Sequence, residues 1–104
     1  MNNCRVLLAD DEAAILEGYK LLFDWEKYQC EIAGTAMDGQ EAVEKARELK
    51  PDIVIMDINL PRHIFTYVIP QMAAICEAVF GTYKKYVRDR KWKKYQAQRV
   101  ISLS

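Results

Sequence analysis

The sequence predicts an α/β domain with an open, doubly wound parallel sheet, and three observations carry that expectation. Two short runs, Val6-Leu7-Leu8-Ala9 and Ile53-Val54-Ile55-Met56, are apolar throughout rather than alternating. That pattern suits strands buried on both faces of a parallel sheet. Segments of helical periodicity lie between strand-like runs, giving a β-α-β-α-β order over residues 1–61. Both apolar runs close on carboxylates, Asp10 and Asp11 after the first and Asp57 after the second.

Each element has its own signal. Residues 4–9 form the first expected strand. The helix over 12–23 places Ile15, Leu16, Tyr19, Leu22 and Phe23 on one face, at spacings i, i+1, i+4, i+7 and i+8, which marks them as core positions. Residues 29–36 alternate weakly through Cys30, Ile32, Gly34 and Ala36, a second strand. Asp38 then precedes a helix, with Glu41 three residues on, the spacing of a capping box. Ala42, Val43, Ala46 and Leu49 form its inner face, and Pro51 stops it. Residues 52–56 are the third strand. Beyond Pro61, residues 64–69 suit a strand or an apolar loop, and Pro70 suits the start of a helix. Met72, Ile75, Cys76, Val79 and Phe80 fit one face of that helix, with Gly81 as its C-cap. Residues 82–98 are basic and aromatic with a poor apolar stripe, and Val100-Ile101-Ser102-Leu103 suits a short strand.

At 104 residues the chain has the size of one domain, 1–104, with no repeat and no separate output domain. Its three cysteines form no C-x-x-C pair, which argues against a zinc ribbon or a redox dithiol and fits free thiols in a reducing cytoplasm. No signal peptide and no apolar stretch of membrane-spanning length stand out, so the expected location is cytoplasmic, with no membrane partner. The net charge of zero hides a division. Residues 1–61 hold six Lys/Arg against thirteen Asp/Glu, and residues 62–104 hold nine against two.

In an open parallel sheet, ligands sit outside the carboxyl ends of the strands. If the two apolar runs are neighbours, Asp10, Asp11 and Asp57 converge there. Clustered carboxylates repel one another unless a cation neutralises them, and an all-oxygen site favours a hard divalent ion such as Mg2+.

Three pieces in register carry a resemblance: Val6-Leu7-Leu8-Ala9-Asp10-Asp11-Glu12, then Ala36-Met37-Asp38-Gly39-Gln40-Glu41-Ala42, then the run from Lys50 and Pro51 through Met56-Asp57-Ile58-Asn59-Leu60-Pro61. Over residues 1–61 the chain closely resembles the receiver domain of bacterial two-component response regulators. Phe23-Asp24-Trp25-Glu26-Lys27 is similar to the subgroup that carries an AraC-type DNA-binding output domain. The resemblance implies a flavodoxin-like fold and a phosphoacceptor signalling module rather than an enzyme with an external substrate. It implies that Asp57 accepts a phosphoryl group from a sensor histidine kinase. Asp10 and Asp11 would hold Mg2+ together with Asp57 and the backbone carbonyl of Asn59. His63 is not the phosphohistidine donor of that family; a solvated loop position suits it.

The family also uses a Ser or Thr at the end of its fourth strand and a Lys, usually before Pro, at the end of its fifth. Thr82 is the one hydroxyl that could serve, slightly early in the chain, and no Lys-Pro pair follows. The glycine-bearing loop expected after Leu60-Pro61 is replaced by Arg62-His63-Ile64. This break coincides with the charge division. It fits a frameshifted or rearranged gene end, a divergent receiver, or a fragment with an acquired role. An incomplete sheet would expose the edge of its third strand and favour homodimers. The competing function is a non-switching interaction or nucleic-acid-binding protein, built on a receiver remnant with a basic tail. In the segment from Lys84 to Tyr95, positive charge interleaves with aromatics as in phosphate and base contacts, although a solvated basic helix is the plainer expectation and makes nucleic acid an unfavoured partner.

Overall fold

The computed structural model describes residues 3–57, 67–76, 78–82, 84–86, 92–94 and 98–99. The elements run β1 (Cys4–Ala9), α1 (Ala13–Leu22), a 3-10 turn (Glu26–Tyr28), β2 (Cys30–Ala36), α2 (Gly39–Leu49), β3 (Ile53–Asp57), α3 (Ile69–Ile75), β4 (Ala78–Thr82), β5 (Lys84–Tyr86), β6 (Trp92–Lys94) and β7 (Gln98–Arg99). The main sheet has the order β2-β1-β3-β4-β7. Its first four strands are parallel, and β7 runs antiparallel to β4. The 2-1-3-4 order is that of the flavodoxin-like doubly wound fold, so the expected fold class holds.

Two apolar layers sandwich the sheet. Val6 and Leu8 face Leu16 of α1, flanked by Tyr19, Trp25, Cys30, Ile32, Ile53 and Ile55. Leu7, Ala9, Val54, Met56 and Val79 face the other way, onto Ala42, Val43 and Ala46 of α2 and Met72 of α3. The absence of alternation in β1 and β3 thus has the expected cause, since both faces are covered.

Asp38 caps α2, its Oδ1 accepting from the Glu41 amide at 2.7 Å. Lys50 closes the helix in the left-handed conformation (φ 48°), and Pro51 follows. Gly39 permits the close approach of α2 to the start of α3: a Cβ there would stand 2.6 Å from Val68 Cγ2. Gly34 passes beneath Leu49, whose Cδ1 would lie 2.8 Å from an added Cβ.

Four expectations need correction. First, α1 buries only Leu16, while Leu22 is 89% exposed and Phe23 is also exposed. The helix lies on the sheet through Leu16 and Tyr19, and its outer apolar side lines a groove of about 390 Å³ with Ala14, Ile15, Gly18, Leu22 and Phe23. Second, β2 does not keep one face. The register slips between Val6 and Leu7, so Val6 pairs with Ile32 but Leu7 with Gly34, and Ala33 is the extra residue of a bulge. Cys30 and Ile32 therefore pack on the α1 side, whereas Gly34 and Ala36 pack on the α2 side.

Third, the helix at Pro70 ends at Ile75. Cys76 is extended (φ −134°, ψ 138°), and Gly81 pairs with Met56 inside β4 rather than capping a helix. Apolar spacing is ambiguous over so short a run, and the open edge of β3 selects the strand. That edge is consequently covered by β4. Fourth, the described parts of the basic segment are extended. β5 and β6 form an antiparallel pair with Lys84 opposite Lys94 and Lys85 opposite Lys93. Residues 58–66, which include Asn59 and His63, and residues 100–104 lie outside the described residues.

Candidate functional site

The site forms where the winding of the sheet reverses, between β1 and β3. Ala9 pairs with Met56, so Asp10 and Asp57 stand side by side at the carboxyl ends of neighbouring strands. Both are buried, at 2% and 1% exposure, and Asp11 is exposed beside them. One carboxylate oxygen from each of Asp10, Asp11 and Asp57 lies within 4.8 Å of the others, the only such cluster among the described residues.

The backbone fixes this arrangement. The Asp10 amide donates to the Ala36 carbonyl at 2.9 Å, which ties the end of β1 to the end of β2. Asp10 Oδ1 accepts from the Glu12 amide at 2.9 Å and turns the chain into α1. Three converging carboxylates, two of them withdrawn from water, form an all-oxygen donor set whose mutual repulsion a hard divalent cation relieves. The field of the cluster reaches α1: burial first, then the charges of Asp10 and Asp57, push the Tyr19 phenol above its ordinary value. Tyr19 was legible in the sequence only as a core position of the helix, and its proximity to the carboxylates was not.

Of the sequence-predicted residues, the structure brings Asp10, Asp11 and Asp57 together. It also places Thr82 at the last position of β4, in register with Asp57. Thr82 therefore occupies the end of the fourth strand. The strand beyond β4 is the short antiparallel β7, and no parallel fifth strand occurs among the described residues. No described helix is long and apolar enough to cross a membrane.

Residues 6–65 match the model of the response regulator receiver domain. The chain is 53% identical over 58 residues to the transcriptional regulatory protein PdtaR of Mycobacterium tuberculosis, covering 56% of this chain and 27% of that protein. It is 36% identical over 75 residues to the uncharacterized transcriptional regulatory protein YesN of Bacillus subtilis, covering 72% of this chain and 20% of that protein. The chain thus spans about a quarter or less of the curated relatives it matches. Among solved structures, the REC domain of AraT, a response regulator from Geobacillus stearothermophilus, superposes with a TM-score of 0.64 at 32% identity, covering 72% of this chain and 57% of that one. With a matching family model, a parallel sheet of the same winding and an acidic cluster at its switch point, the chain belongs to the response regulator receiver domains of two-component signalling.

Proposed function

We propose that this receiver domain is a phosphoacceptor, taking a phosphoryl group from the phosphohistidine of a sensor kinase in the cytoplasm onto Asp57. The convergence of the Asp10, Asp11 and Asp57 oxygens within 4.8 Å carries this reading. A carboxylate oxygen of Asp57 forms the new P–O bond as the P–N bond to the donor breaks. The departing imidazole takes up a proton, and an acyl phosphate is left on Asp57. Asp10 and Asp11, with Asp57 and the Asn59 carbonyl, would hold Mg2+, which offsets the charge that gathers on the transferring oxygens. Thr82, in register with Asp57, is suited to donate a hydrogen bond to the phosphoryl group.

The switch that follows phosphorylation is impaired in this reading. β7 stands where a parallel fifth strand would bring a lysine to the phosphate, and no Lys-Pro pair follows Thr82 in the sequence. Residues 1–104 act as one domain, with a receiver core over 1–61 and a divergent tail over 62–104. The test is incubation of the full chain with acetyl phosphate and Mg2+, followed by intact-mass measurement. One phosphoryl mass is gained by the wild type and not by Asp57→Asn. Absence of any gain in the wild type defeats the proposal.

A second reading rests on the β5–β6 pair, in which Lys84 and Lys85 are register partners of Lys94 and Lys93. Like charges in such pairs are destabilising unless an anion lies between them, which suits a polyanion such as nucleic acid. Binding to random-sequence DNA that weakens steeply with salt favours this reading, and binding indifferent to ionic strength removes it.

A further inference from the structure

All three cysteines are free thiols, as the sequence led us to expect, and the register of the sheet sets two of them side by side at its other end. Cys4 is the first residue of β1 and Cys30 the first of β2, and the two are register partners in adjacent parallel strands. Such neighbours stand about 4.8 Å apart, inside the roughly 4.4–6.8 Å span that a disulfide bridges between Cα atoms. Register partners in parallel strands project to the same face, and Cys30 packs on the α1 side with Ile32 and Val6. Both residues are half-buried, on the outermost pair of strands, and so are reachable from solvent.

We propose that Cys4 and Cys30 form a cross-strand dithiol that low-molecular-weight disulfides convert to an intramolecular disulfide. The thiolate of one cysteine attacks a sulfur of the external disulfide and releases one small thiol, leaving a mixed disulfide on the protein. The second thiolate attacks the protein-bound sulfur and releases the other small thiol. Two protein thiols and one small disulfide become one protein disulfide and two small thiols.

The third cysteine is held apart. Cys76 is buried on the α2 side, and its Sγ donates to the Asp52 carbonyl at 3.1 Å and the Ala78 carbonyl at 3.3 Å. Burial, then the neighbouring Cys30 and Asp52, raise the Cys4 thiol above its ordinary value. Thiolate attack on the external disulfide is slow at neutral pH and quickens as the solution becomes alkaline.

The test is exposure of the full folded chain to oxidised glutathione, followed by alkylation and peptide mass mapping. The proposal expects loss of two hydrogens per chain, a linked Cys4–Cys30 peptide, and alkylation of Cys76 only after unfolding. In Cys4→Ser and Cys30→Ser, a stable glutathione adduct accumulates on the remaining partner. Should these variants misfold, the same mapping on wild type in urea supplies the comparison: linkage confined to Cys4–Cys30 when folded becomes spread over all three cysteines when unfolded. Separate glutathione adducts on both Cys4 and Cys30 of the folded wild type, a bridge to Cys76, a bridge between chains, or no reaction each overturn the proposal.

Discussion

Asp10 and Asp57 show how much a residue's meaning depends on its place in the chain. An Asp-Asp pair alone says little, but carboxylates closing apolar runs mark strand ends in a parallel sheet, which made the cluster legible before any coordinates. Thr82 was harder to place because Val79 and Phe80 fit a helical face as well as a strand. Only the pairing of β4 with β3 sets it opposite Asp57. The cluster predicts a metal-dependent stability. A cation that binds only the folded chain stabilises it by about 2.7 kcal/mol at a hundredfold excess over Kd. Urea unfolding with Mg2+ should therefore shift to higher midpoints than with EDTA. Asp10→Ala should abolish the shift and, in EDTA, unfold no more readily than the wild type, because it removes one of the mutually repelling charges.

At the scale of elements, α1 and α2 differ in what the sequence could say. In α2 the cap, the inner face and the stop are local and appear as expected, except that the Glu41 carboxylate pairs with Lys45 rather than reaching back to the Asp38 amide. Asp38→Ala should cost about 1 kcal/mol, measured by denaturant unfolding. In α1 the periodicity identifies an apolar side broader than the sheet can cover, and the sequence does not say which part stays outside. Leu16→Ala should cost about 2–5 kcal/mol, whereas Leu22→Ala should stay within about 0.5 kcal/mol, a contrast that the same unfolding measurement resolves. The ends of β1 and β3 opposite the carboxylates are clasped by Asp52, whose Oδ2 accepts from the Arg5 amide at 2.8 Å while its own amide donates to the Arg5 carbonyl at 2.9 Å. Nothing in the spacing of Arg5 and Asp52 announced that clasp, because it depends on which strands become neighbours.

For the whole molecule, the charge division at residue 61 is not a division of the fold. The parallel sheet crosses it, since β4 comes from the basic half and pairs with β3 from the acidic half along its full length. Removal of residues 77–104 should leave the β3 edge bare and convert a monodisperse chain into one that self-associates, as read by light scattering. The bulge at Ala33 also bears on the whole molecule, since Ile32 and Gly34 on either side of it face different layers. A single-residue insertion or deletion in a buried strand ordinarily inverts every later side chain. Here the insertion is already part of the native register. Deletion of Ala33 would remove the bulge and let Gly34 follow Ile32 directly, still opposite Leu7 on the α2 side and beneath Leu49. Residue 33 is thus a position where neither the identity nor the presence of the side chain sets the faces that follow, so deletion as well as substitution there should be tolerated, as read by denaturant unfolding.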